Sequence, residues 1–258
     1  LRLDPIKWKF LIFEQNQPGL DEYRSAFNEL AQRGVGARRL LPAVMPIVRG
    51  DRVFFKVQGN EPLVAVDLYN GKLRWKGREE RQLQAISQRV RWGGALPMSR
   101  DFLYAWRFFG DYGWNSVSSN GDFVFSVENN CSQYYVDLMR AMSAMGVPMP
   151  AEDIEGNQIA VYQISTQGKL KAILGGPEAP EEHLKKARFL SAPAAGHGLL
   201  VAPAQVGEDY YVYAFRESDF KYVWRTLVCS RVASAANPYY GAQAVLLPPE
   251  GSFLSIGE

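Results

Sequence analysis

The sequence predicts an all-β chain with helical insertions, built as a β-propeller of four-stranded blades that form a partial ring of about three to four units. Three observations predict it. Aromatic residues make up 13% of the chain and 23 glycines punctuate it, the mixture of strand formers and turn formers that short antiparallel strands need. A short segment recurs along the chain. Each recurrence is preceded by a turn and an alternating strand, so the repeated unit is a supersecondary element rather than a chance match.

The first copy of the segment runs Ala65-Val66-Asp67-Leu68-Tyr69-Asn70-Gly71-Lys72-Leu73-Arg74-Trp75, and the last runs from Ala214 to Trp224 with Lys221 at the same place as Lys72. A middle copy, from Tyr162, shares Gly168-Lys169-Leu170 with the first and carries Ala172 where tryptophan would fall. Ahead of them lie Gly50–Val57, Asn120–Val127 and Gly196–Pro203, each a turn followed by a strand. Glycine accepts positive φ, so the Asn-Gly and Gln-Gly steps suit tight hairpins. One such unit cannot bury both of its faces; radial stacking of several does, which is the propeller architecture.

On this reading the blades span 40–77, 114–176 and 189–228, and 237–258 starts a further one. The segment 1–34 holds an N-terminal strand, in which Trp8, Phe10 and Ile12 alternate, and a helix over Leu20–Gln32. Two insertions interrupt the repeats: Arg78–Gly113 between blades, and 128–156 inside the second blade. The latter reads as helical, because Tyr135, Leu138, Met142 and Met145 share one face, Ser132 can cap it, and Gly146 with Pro148 ends it.

Composition sets outer bounds. No stretch approaches ~18 uninterrupted apolar residues, so no transmembrane helix is expected within these residues. Residues 1–100 carry 18 Lys/Arg against 10 Asp/Glu and residues 101–258 carry 11 against 17, so the net charge of +2 hides a basic first part. Its basic run holds Lys72, Arg74, Lys76, Arg78, Arg81, Arg89 and Arg91, with Trp75 and Trp92 interleaved. A solvated face or an anionic partner is expected there rather than nucleic acid. Cys131 and Cys229 show no metal or haem spacing, and His183 and His197 lie too far apart to complete a zinc framework. The chain opens at Leu1 with no signal-peptide pattern, and is expected to be a processed chain or a piece of a longer one.

The clean copy, Ala65-x-Asp67-x-x-x-Gly71-x-x-x-Trp75, resembles the pyrroloquinoline-quinone-like repeat of quinoprotein-dehydrogenase-like propellers. The last copy keeps Ala214 and Trp224 but has Arg216 and Phe220 in place of Asp and Gly; the middle copy keeps Gly168. The resemblance implies that Ala65, Asp67, Gly71, Trp75, Gly168, Ala214 and Trp224 dock neighbouring blades. With its helical excursions, the chain is similar to non-enzymatic propeller modules of large bacterial envelope proteins and to the outer-membrane assembly scaffold lipoprotein. This implies a periplasmic, envelope or secreted location. It also implies a protein partner, or the remainder of a longer chain, to complete the ring.

The expected function is therefore a non-catalytic interaction or scaffold module with no cofactor. A quinone- or calcium-dependent oxidoreductase is the alternative. It would use Glu128, Asn129 and Asn130 as hard oxygen ligands and Trp114 as the floor of a pyrroloquinoline quinone site. A third reading is a carbohydrate-binding propeller using Trp106, Tyr112, Trp114, Tyr239 and Tyr240. For nucleophilic chemistry the candidates are few. His183 is expected in a charged surface turn, His197 in a Gly-His-Gly hairpin, and Cys131 at a helix N-terminus.

Overall fold

A computed structural model describes residues 7–10, 28, 44–57, 62–79, 111–128 and 156–230. The sequence-predicted helix over Leu20–Gln32 (Asn28 apart), the helical insertion beyond Glu128, and the segment 237–258 lie outside the described residues. So do Asn129, Asn130, Cys131, Trp106, Tyr239 and Tyr240, and, from the basic run, Arg81, Arg89, Arg91 and Trp92.

Three antiparallel sheets follow one another along the chain. The first holds β1 (Ile47–Arg49), β2 (Arg52–Lys56), β3 (Leu63–Asp67) and β4 (Leu73–Lys76) in sequence order. After a short helix, α1 (Tyr112–Asn115), the second holds β5 (Val117–Ser119), β6 (Phe123–Glu128), β7 (Gln158–Gln163) and β8 (Lys169–Gly175). A second short helix, α2 (Glu182–Lys185), and β9 (Arg188–Phe189) lead to the third. There β10 (Ala194–Gly196), β11 (Leu199–Val206), β12 (Asp209–Arg216) and β13 (Tyr222–Ser230) repeat the meander, with β9 added beside β11. The first strands converge, with β5 packed against both β1 and β10. Successive four-stranded meanders packed together through their first strands are consistent with propeller blades, and among the described residues they do not close into a ring.

The alternation of side chains explains why the strands read as continuous apolar runs. From the first sheet, Phe54, Leu63, Ala65 and Trp75 pack with Val117, Val124, Ala160 and Tyr162 of the second. The intervening residues Val53, Phe55, Val64 and Val66 form a separate cluster on the opposite face. The second sheet turns Phe125, Val127, Ile159 and Val161 toward Leu200, Ala202, Tyr213 and Phe215 of the third. Each fully buried Phe or Leu contributes about 1.5–3 kcal/mol. A single hydrogen bond contributes about 1 kcal/mol, so face-to-face packing dominates the assembly of blades.

The N-terminal residues correct one expectation. Residues 7–10 form no strand. Trp8 and Phe10 instead cover the far face of the first sheet, with Trp8 Nε1 donating to the Leu68 carbonyl at 2.8 Å and Phe10 set edge-on to Phe55. The repeat register is also corrected. In the second blade Val161, not Tyr162, lies opposite Ala172, because its turn is one residue longer. In the first and last blades Ala65 faces Trp75 and Ala214 faces Trp224.

His183 lies in α2 rather than in a solvated turn. Its ring packs 4.9 Å from Tyr222 and 5.7 Å from Tyr213, centroid to centroid. Burial and the nearby Arg225 charge hold its pKa below the usual 6.5, with Glu181 opposing. The folded chain thus binds fewer protons here than the unfolded chain at mildly acid pH. Stability from this contact is full above the ordinary histidine value and is lost as pH falls below it. Thermal denaturation at pH 7.5 and 5.5 should show a drop in Tm for the wild type that is smaller in His183→Gln. Equal drops in both proteins would show that the ring plays no part.

Candidate functional site

The sequence-predicted docking residues meet at the boundary between the first and second blades. The turn that follows β3 is closed by Asp67. Its Oδ1 accepts from the backbone of Tyr69 and Asn70, and the Asp67 carbonyl accepts from Gly71. The Arg74 guanidinium donates to the other carboxylate oxygen, and this bond, with the backbone donors, holds the Asp67 carboxyl below its usual pKa against the opposing effect of burial. Asp51 sits 3.7 Å from Arg74. Arg74 is therefore neutralised within its own blade rather than held ready for an anionic partner.

Trp75 reaches from this blade across to the next. It packs on Phe54 of its own sheet and on Tyr162 of the second, at centroid distances of 5.7 and 5.9 Å. Beneath its indole lies Gly168, where a Cβ would fall 2.3 Å from the ring. Gly168 has φ +77, a conformation most residues avoid. Gly71 repeats the device with φ +68, and a Cβ there would fall 2.6 Å from the Trp8 ring.

At the next boundary the sizes are exchanged. Ala172 stands where the second blade would carry tryptophan, and Phe220 stands where the third would carry glycine. The turn is unchanged: Phe220 N donates to the Arg216 carbonyl just as Gly71 N donates to the Asp67 carbonyl. Phe220 keeps a positive φ of 60°, is 9% exposed, and meets Phe123 edge-to-face at 5.0 Å. Ala172 is partly buried and packs against the cluster that holds Phe220. A bulky residue at positive φ costs roughly 1–2 kcal/mol, which the buried ring offsets. Trp224 completes the series differently. It faces Ala214, as Trp75 faces Ala65, but it is 39% exposed where Trp75 is 8%.

At the opposite end of the first boundary lies a buried charged cluster. Lys56 ends β2 and is fully buried. Its Nζ donates to the Val127 carbonyl at 2.9 Å and lies 4.4 Å from the Trp114 ring centroid, a cation–π contact. Glu128 ends β6 at 1% exposure. One of its oxygens accepts from Tyr162 Oη and the other from Arg78 Nε, each at 2.6 Å. Burial first, then the Glu128 charge, pushes the Tyr162 phenol far above its ordinary range, so it stays a neutral donor. The cluster ties β2, Arg78 two residues beyond β4, β6, β7 and α1 into one unit.

Glu128 and Trp114 are the described members of the sequence-predicted quinone and calcium group. Each Glu128 oxygen already accepts one hydrogen bond, from Tyr162 or Arg78, so a calcium ion would have to share them. Trp114 is 4% exposed and lies beneath Lys56, so it offers no open floor. Tyr112 is half-buried, and His197 occupies a two-residue hairpin turn with φ 51. The sequence reading missed Lys56, Arg78 as a partner of Glu128, and Tyr162. A lysine directly after the apolar run Val53–Phe55 was the available signal. The second boundary has its own polar lock, overlooked for the same reason. Buried Asn157 donates to the Phe189 carbonyl at 2.8 Å and accepts from its N–H at 2.6 Å.

No protein-family model matches the chain, and no curated protein matches it. Among solved structures, a europium-containing methanol dehydrogenase is similar at 13% identity and a TM-score of 0.41. The similarity covers 70% of this chain and 24% of that chain.

Two outcomes are expected. Gly168→Val should lower stability by about 2–4 kcal/mol in denaturant titration, from a Cβ at positive φ and overpacking against Trp75. In the exchanged boundary, Ala172→Trp and Phe220→Gly should each destabilise the chain. The double variant should recover about 1–3 kcal/mol relative to their sum. Strict additivity would show that the two positions do not share one space.

Proposed function

We propose that this chain is a non-catalytic interaction or scaffold module built from propeller blades. One observation carries the proposal. Of the residues that would make a cofactor site, the two described are engaged in the fold, Glu128 by Tyr162 of its own blade and by Arg78 beyond the first blade, and Trp114 by Lys56 of the first blade. A buried carboxylate between a phenol and a guanidinium is a structural tie. Breaking such a tie costs about 3–5 kcal/mol, so drawing Glu128 away to ligate a metal would loosen the blade boundary. The joined blades form a rigid support, and among the described residues their turns and exposed outer strands are what remain to meet other molecules.

The resemblance of the repeat to envelope propeller modules and to the outer-membrane assembly scaffold lipoprotein supports a periplasmic, envelope or secreted setting in a bacterium. It also supports a protein partner or further blades that complete the ring. Of the carbohydrate-binding candidates among the described residues, Trp114 is buried and Tyr112 half-buried.

The test is a titration of the purified chain with pyrroloquinoline quinone in calcium buffer, followed by quinone absorbance and by dye-linked alcohol oxidation. The expected result is no saturable change and no turnover. Saturable binding with dye reduction that Glu128→Gln abolishes would overturn the proposal in favour of the oxidoreductase reading.

A further inference from the structure

The chain contains two Asn-Gly steps, Asn70-Gly71 between β3 and β4 and Asn120-Gly121 between β5 and β6. Such a step is the one most open to attack by the backbone on its own side chain, because glycine has no side chain to shield its nitrogen and lets the backbone approach closely. Two steps of the same type in one molecule isolate what their surroundings do.

In both steps the glycine N–H is engaged. Gly71 N donates to the Asp67 carbonyl at 2.9 Å, and Gly121 N donates to Ser119 Oγ at 3.1 Å. Losing that bond is a cost common to the two. The side-chain amides differ. Asn120 is half-buried; its Nδ2 donates to Glu217 Oε1 of the third blade at 2.5 Å, and its Oδ1 accepts from Asp122 N at 3.1 Å and Phe123 N at 2.8 Å. Asn70 is exposed; its Oδ1 accepts from Lys72 N at 2.9 Å, and among the described residues its Nδ2 has no partner.

We propose that Asn70-Gly71 is a site of spontaneous deamidation in the folded chain, and that the tie to Glu217 keeps Asn120-Gly121 intact. Gly71 N gives up its proton and bonds to Asn70 Cγ. The Cγ–Nδ2 bond breaks, and the nitrogen leaves with that proton as ammonia. Water then opens the cyclic imide at either carbonyl, leaving aspartate or isoaspartate at position 70. The departing nitrogen is free at Asn70 and held at Asn120.

The product acts beyond the turn. Isoaspartate lengthens the backbone by a methylene, and the new carboxylate stands beside Asp67, whose Oδ1 accepts from Asn70 N. Gly71 lies so close beneath the Trp8 ring that a Cβ would fall 2.6 Å from it. A shifted turn therefore releases Trp8 from the first sheet.

The test holds the purified full chain at pH 8.5 and 37 °C and follows peptides spanning the two steps by mass spectrometry. Asn70 should convert about tenfold or more faster than Asn120, whose amide must first leave its hydrogen bonds. In urea the two rates should converge. Glu217→Ala should speed conversion at Asn120 and leave Asn70 unchanged. Converted chain should exchange the amides of residues 7–10 with solvent faster than fresh chain. Equal rates in the folded chain, the same difference persisting in urea, or an Asn120 rate indifferent to Glu217→Ala would each overturn the proposal. Unchanged exchange at residues 7–10 would overturn the release of Trp8.

Discussion

Each sheet of this chain is apolar on two faces, and a four-stranded meander can shield neither by itself. That constraint governs the rest of the structure. It explains why the strands carry unbroken apolar runs such as Leu63–Val66 and Ile159–Tyr162, whose alternate residues belong to different clusters. It explains why residues 7–10, without forming a strand, lie against the first sheet and set Trp8 on Gly71. Blade boundaries, rather than blade interiors, are where most of the burial free energy is gained.

Two boundaries meet the same packing requirement with opposite residues. At the first, a large ring on the outer strand meets a glycine in the neighbouring turn. At the second, an alanine on the outer strand accompanies a phenylalanine in that turn, which retains the left-handed backbone of the glycine it replaces. The hydrogen bonds of the turn do not involve the side chain, so the backbone stays the same while the volume moves across the boundary. Interiors pack near crystal density, and total volume is conserved more strictly than the identity of either partner. Polar contacts add direction to this packing. Lys56 to Val127, Arg52 to the Ile164 carbonyl at 2.7 Å, and Asn120 to Glu217 at 2.5 Å each cross a boundary and fix how one blade faces the next.

The same packing bears on chemistry. Glu128 and Trp114 look, in isolation, like the ingredients of a cofactor site. Their placement between blades turns both to structural use, since a carboxylate removed from water needs donors on each oxygen, and Tyr162 and Arg78 supply them. The outer strands show the reverse relation. Their charges and irregularities guard the edges, by lysine and arginine on β4 and β8 and by two β-bulges on β13.

The sequence by itself determined the kind of element and its periodicity. Turn glycines, alternating strands and the Ala-to-Trp spacing were legible because they are local, set by φ preference and by a two-residue side-chain period. The register of the second blade was not, because a turn one residue longer shifts every partner and leaves no local mark. The identity of the cofactor-like residues as boundary ties was also invisible. Lys56, Arg78, Glu128 and Tyr162 are far apart in sequence; strand pairing within the second sheet brings Tyr162 to Glu128, and the stacking of the first sheet on the second adds Arg78 and Lys56. Tertiary structure decided which charges are buried together, which glycine receives which ring, and which tryptophan is left facing solvent, because each depends on a neighbouring blade rather than on neighbouring residues.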